Sequence, residues 1–271
     1  MASVIENKRE EINLWDILNN FLDKTRSSRT KLRKYKESVY FEATQPLSGE
    51  RETIGLDTFI NWWENNKQDN YWVGISGSWR TINQNLIDNV TKTIRYITSE
   101  GIGILTGGAL GVDYIATEVI LREGNAKEQL RIALPINRYA YMEHFTNSAI
   151  QTHTINRTQQ DSLTDQMKQI DECYPEIIFD ESYYNEVEFL KPENYMYREK
   201  SYHSRNGLIA YGCDGLIAFR INNSQGVKDA INKVKFMQKP IFILNDLINK
   251  NDKSIINDYE LIDIPNLSEK K

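Results

Sequence analysis

The sequence predicts an α/β fold, an open and mainly parallel sheet flanked by helices, with an N-terminal helical extension. Three observations predict it. Apolar strand-like runs alternate with segments of helical periodicity, two strand-to-helix connections are glycine turns, and the order strand, turn, helix recurs nearer the C-terminus. At 271 residues and 40% hydrophobic content, the chain can bury one sizeable core.

The extension comes first, in residues 1 to 70. Residues 11 to 23 read as an amphipathic helix, with Ile12, Trp15, Leu18 and Leu22 near one face and Leu14, Ile17 and Phe21 widening it. Residues 56 to 64 are a shorter helical segment carrying Phe59, Ile60 and Trp63, separated from the first by the break at 46 to 49. Together they present more apolar surface than a free helix pair leaves in water, so the extension is expected to dock on the main domain or on another subunit, as in a homo-oligomer.

The main domain spans 71 to 250. Residues 71 to 76 form an apolar strand that enters the turn Gly77-Ser78-Trp79-Arg80, and a helix starts near Asn83, supported by Leu86, Val90, Ile94 and Ile97 and closed by Gly101. Residues 102 to 106 read as a buried strand leading into Gly107, Gly108 and Gly111, which allow φ > 0 and close ligand approach. The helix at 112 to 123 follows, and amides at such a helix start attract anions. Arg80 sits where a phosphate would be. Asp113 is favourable at a helix start for dipole and capping reasons alone.

Residues 130 to 134 read as a third core strand, ended by Pro135. The insertion at 136 to 192 mixes a tyrosine-rich segment, a polar helix at 159 to 172 and a short strand at 177 to 179, with Tyr139, Tyr141 and His144 read as lid or packing surface. Arg205 and Asn206 fall on a helix beside Leu208-Ile209-Ala210. Residues 214 to 219 form another buried strand, 222 to 226 a polar loop with Ser224 and Gly226, and 227 to 237 a helix with Asp229 in its first turn. A last strand, 241 to 244, follows Pro240, and the Lys- and Asn-rich stretch at 251 to 271 is expected to be a frayed tail.

Charge and composition exclude some functions. A net charge of −5 argues against wrapping nucleic acid, which needs a basic surface. The basic run from Arg26 to Lys36 and the acidic stretch from Asp171 to Glu188 are read as solvated surface. Two cysteines without paired spacing and three scattered histidines give no metal site, and no pattern calls for a cofactor. No leader-like N-terminus and no apolar run near the ~20 residues of a membrane span are present, so a cytoplasmic protein is expected, without a membrane partner.

Four ordered blocks carry a family resemblance. GSWR at 77 to 80, TGGALGVD at 106 to 113, YHSRN at 202 to 206, and DGLIAF with SQGVKD within 214 to 229 resemble the SLOG superfamily, which includes DprA/Smf proteins, YpsA-like proteins and LOG-type phosphoribohydrolases. The resemblance covers about residues 71 to 245. It implies a Rossmann-like domain with a nucleotide pocket built from Gly77, Ser78, Arg80, Gly107, Gly108, Gly111, Asp113, Arg205, Asn206, Ser224 and Gly226. In that pocket Arg80 and Arg205 would supply countercharge. Trp79 would stack on a base or pack on the extension.

Enzyme members carry a PGGxGTxxE motif whose glutamate serves in cleaving an N-glycosidic bond. This chain has SQGVKD instead, with Asp229 where the glutamate would fall, one methylene shorter, on a scale where ~1 Å matters. Asp229 is therefore the candidate catalytic residue, and little base release is expected. DprA-like members pair with single-stranded DNA, but this chain is acidic and shows no winged-helix-like tail after Leu244. The expectation is a nucleotide-binding sensor or regulatory protein, with nucleoside monophosphate hydrolysis and single-stranded DNA binding as rivals.

Overall fold

A computed structural model describes residues 14–32, 50–79, 83–151, 155–180, 186–191, 193–248 and 254–262. Among the described residues, the helices before the sheet are α1 (Leu14–Leu32) and α2 (Glu50–Asn66). Then come β1 (Trp72–Gly77), α3 (Gln84–Ser99), β2 (Gly103–Thr106), α4 (Val112–Glu123), the one-turn α5 (Ala126–Gln129) and β3 (Leu130–Ala133). The insertion holds α6 (Arg138–Glu143), a π-helical turn (His144–Ala149), α7 (Arg157–Cys173), β4 (Ile178–Phe179) and α8 (Glu186–Leu190). Last are α9 (Tyr195–Gly212), β5 (Gly215–Ile221), α10 (Gln225–Phe236), β6 (Ile241–Ile248) and β7 (Ser254–Ile262).

The strands form one seven-stranded sheet in the order β4-β3-β2-β1-β5-β6-β7. Every pairing from β4 to β6 is parallel, and β7 alone runs antiparallel, against β6. β2 and β3 are buried throughout, as parallel strands covered on both faces must be. This is an open Rossmann-like α/β architecture.

Local chemistry sets the helix ends. The Asn83 side chain accepts the Leu86 amide at 2.9 Å and caps α3, while Gly101, at φ +71, turns the chain out of it. α3 then buries Leu86, Val90, Thr93, Ile94 and Ile97 along one stripe. Asn156 and Gln159 form a reciprocal capping box at the start of α7.

Helices α1 and α2 lie on opposite faces of the sheet. Leu18, Phe21 and Leu22 of α1 join the cluster of Val73, Ile75, Val90 and Ile120, and the Phe21 ring lies 6.2 Å from that of Phe242 in β6. Phe59 and Trp63 of α2 join Trp72, Leu105, Leu208 and Val234 on the other face. The Trp63 and Trp72 rings meet edge to face at 5.3 Å. Arg131 fastens α2 from beneath: it is 2% exposed, donates from Nε to the Asn66 carbonyl at 2.8 Å and lies over the Trp72 ring. Burial lowers its pKa to about 10.

Three expectations change. The stretch read as a frayed tail contains β7, where the β-branched and aromatic content of 254–262 competes successfully with the surrounding Lys and Asn. β6 runs to Ile248 rather than Leu244, and the Asn222 side chain pairs with both backbone groups of Ile248 at 2.9 Å. Helix α10 begins at Gln225, which moves Asp229 past its first turn. Among the described residues, no helix is long and apolar enough to cross a membrane.

Candidate functional site

Strand order locates the crevice. From β1 the chain proceeds outward through β2, β3 and β4, whereas β5, β6 and β7 build the other side. Connections after β1 and β5 therefore leave in opposite directions, and the gap between them, at the carboxyl ends of the strands, is where open α/β sheets take ligands. Gly77, the end of β1, pairs with Phe219 of β5 at its rim. Beside it, Leu86, Asn89, Phe219, Ile221, Leu244 and Asp246 line a shallow hollow between α3 and the ends of β5 and β6.

The loops after β1 and β2 touch through glycine. Gly111 has φ +73, and a Cβ there would overlap the Ser78 carbonyl and lie 2.7 Å from Trp79 Cα. The Val112 amide donates to that same carbonyl at 3.1 Å. A Cβ on Gly77 would overlap the Val112 side chain. Gly108 also lies at positive φ, +64, but Gly107 does not: its missing Cβ makes room for the Arg205 guanidinium.

Asp113, Arg205 and Asn206, all buried, form one chain of contacts with the half-buried Asp229. Asp113 Oδ2 accepts the Gly107 amide at 3.0 Å and the Ala109 amide at 3.4 Å. Arg205 Nη1 lies 4.0 Å from that oxygen and donates to the Gly107 carbonyl, while Nε donates to Asn206 Oδ1 at 3.2 Å. Asn206 Nδ2 passes the network on to Asp229 Oδ2 at 2.9 Å and the Gly226 carbonyl at 3.3 Å. Lys233 Nζ bonds both Asp229 oxygens, at 2.9 and 2.8 Å, and the His203 carbonyl at 2.6 Å. The Tyr141 hydroxyl closes the turn after β2 from the insertion side, donating to the Gly108 carbonyl at 3.0 Å.

Burial dominates the electrostatics. It pushes the Asp113 carboxyl up to about 6, against the opposing pull of Arg205 and the two amides. Burial also lowers the Lys233 pKa, with Asp229 opposing, and takes His144 down to about 4, with Arg198 adding to the fall. His144 is therefore neutral near neutral pH, among the rings of Phe145 and Phe189.

The Asp113 shift has a measurable consequence. Because the folded-state pKa is raised from 3.8 to about 6, the folded protein holds this proton more tightly than the unfolded chain. Its stabilisation is complete below about pH 4 and lost as pH rises through about 6. Urea midpoints measured across this window should fall more in wild type than in Asp113→Asn. Parallel profiles for the two proteins would show that the carboxyl is not perturbed.

The structure thus brings Gly107, Asp113, Arg205, Asn206, Gly226 and Asp229 into one network, with Gly77, Ser78, Gly108 and Gly111 next to it. Ser224 precedes α10 without a side-chain cap bond, Gly226 is exposed, and the loop between β5 and α10 bends through Asn222 and Asn223 at φ 47 and 57. Arg80 lies outside the described residues. Arg205, expected as a countercharge for phosphate, is 7% exposed and already faces Asp113. Trp79 sets its ring edge to face against Phe145 of the insertion, at 6.4 Å. Lys233 is absent from the expected site, and Tyr141, expected as lid or packing surface, hydrogen-bonds the turn after β2. The spacing of four from Asp229 to Lys233 on a helix was a readable signal for the first, and nothing local marks the second.

No family model matches the sequence, and no curated protein matches it. Two similar solved structures are of DNA processing protein A. One, from Helicobacter pylori, is described for its single-stranded DNA binding mode; it is 17% identical, with a TM-score of 0.43 over 67% of this chain and 66% of that one. The other, DprA from Streptococcus pneumoniae, is 18% identical, with a TM-score of 0.42 over 68% of this chain and 52% of that one. The matches thus span a little under two thirds and about half of those proteins.

Proposed function

We propose that this protein binds a nucleotide or nucleotide-derived ligand in the crevice between β1 and β5 and acts as a sensor rather than a hydrolase. The observation that carries the reading is the reversal of strand order at β1 and β5, which sets the loops after β2, β1 and β5 side by side at the carboxyl edge. Gly77 and Gly111 let the first two of these loops approach closely, and Ser78 stands at the rim. The ligand's phosphate would face the loops after β1 and β5.

Hydrolysis is disfavoured by the surroundings of Asp229. Both of its oxygens accept from Lys233 and one also from Asn206, so the carboxylate is held by neighbours of its own fold. A general base must instead reach the proton it removes. Single-stranded DNA binding, as described for the Helicobacter pylori protein, is the second reading, and it fits the same loops.

Native mass spectrometry of the purified full chain tests the proposal, followed by calorimetry with the nucleotide class found. We expect a bound nucleotide mass, mild salt dependence, and no free base when the mixture is chromatographed after long incubation. If no nucleotide binds, while a labelled oligonucleotide is held tightly at physiological salt, the DNA reading replaces this one, since contacts to several phosphates are normally steeply salt-dependent. Base release that disappears in Asp229→Asn would make the protein an enzyme.

A further inference from the structure

We propose that Asp113 is a resident anion in the turn after β2. It holds the amides that a phosphate would need there, so this turn receives the uncharged part of the ligand and phosphate is confined to the crevice between β1 and β5. The inference rests on the nucleotide reading and adds a specificity-determining residue to it.

Two backbone amides converging on one oxygen is the arrangement by which a glycine turn seats an anion. Here the oxygen is Asp113 Oδ2, taking the Gly107 and Ala109 amides at 3.0 and 3.4 Å. The nearby countercharge is also engaged. Arg205 Nη1 stands 4.0 Å from the same oxygen while donating to the Gly107 carbonyl, and its Nε is bound to Asn206. Asp113 is 5% exposed and Arg205 7%, so the pair is largely shielded from water. The linked groups Asp113, Arg205, Asp229 and Lys233 carry two negative and two positive charges, leaving no net charge to attract an anion. An arriving phosphate would place a like charge beside a poorly screened carboxylate. A ribose hydroxyl or a base edge would not.

Sulfate is the probe, because its charge stays constant between about pH 5 and 8, a window in which an Asp113 carboxyl with pKa of about 6 changes state. Amide proton–nitrogen spectra of the full chain report on Gly107 and Ala109 directly. In Asp113→Asn we expect these two amides to shift saturably with sulfate, with affinity roughly tenfold or more above wild type. The gain should vanish when Arg205→Met is added. Wild type supplies a second measurement that does not depend on a variant folding. The same amides should respond to sulfate near pH 5, where the carboxyl is protonated, and not near pH 7.5. The charged or titratable groups around Asp113 are Arg205 on α9, with Tyr202 on the same helix, and Tyr141 on α6.

The proposal is overturned if wild type near pH 7.5 shows the sulfate response of Asp113→Asn. It is also overturned if the two amides stay silent in wild type near pH 5. A sulfate response in a protein that carries no nucleotide would uphold the resident anion and remove the nucleotide reading. A bound nucleotide with no sulfate response in any arm would do the reverse.

Discussion

Replacing Gly111 by alanine is expected to destabilise the fold by at least ~4 kcal/mol, the range reached when strain and steric overlap act together. The added methyl meets backbone, not a side chain that could swing aside: the Ser78 carbonyl overlaps it and Trp79 Cα lies 2.7 Å away. The position also sits at φ +73, which a β-carbon disfavours. Relief requires the turns after β1 and β2 to separate, which breaks the bond from the Val112 amide to Ser78 and opens the rim of the crevice. Gly226→Ala is the matched control, because a Cβ there meets nothing within 4 Å and φ is not positive. Chemical denaturation of both should show a large loss for the first and a change within about 1 kcal/mol for the second. Equal losses would mean that the two turns do not meet as described.

Lys239→Met should cost about 3 to 5 kcal/mol, although it exchanges one long side chain for another. Lys239 is 4% exposed, and its ammonium donates to the carbonyls of Ala210, Tyr211 and Cys213 at 2.6, 2.8 and 2.5 Å. These are groups at the C-terminal end of α9, where the helix leaves carbonyls without intrahelical partners and where the dipole favours a cation. Methionine fills the volume but offers no donor, so the carbonyls remain dry and unsatisfied. Arg205 and Asn206 belong to this helix, so the damage should reach the candidate site as well. A denaturation midpoint unchanged from wild type would show that water replaces the ammonium there.

The turns were legible because their chemistry is local. Gly108 and Gly111 lie at positive φ, and Asn83 caps a helix three residues before the first buried leucine. The start of α10 was obscured because Gly226, a poor helix former, stands inside its first turn. Where the Arg205 charge goes was not legible either, since its partner carbonyl is 98 residues away in sequence. An arginine in a block that resembles a nucleotide pocket reads as a ligand contact until the fold shows a carboxylate close by. Strand order is likewise a tertiary fact, so the crevice could be expected at the carboxyl edge but not assigned to β1 and β5.

The docking of α1 sets a timetable for the growing chain on the ribosome. Phe21 packs on Phe242, and Phe21 and Thr25 lie over Gly215, so this helix emerges early while its seat is assembled more than 190 residues later. At synthesis rates of roughly 5 to 20 residues per second, its apolar face waits on the order of ten seconds or longer before β5 and β6 exist to receive it. Contacts so distant in sequence also slow the closing step itself. A nascent chain stalled before β6 should therefore keep α1 accessible to protease and to holdase chaperones, and release of the full-length chain should end that exposure.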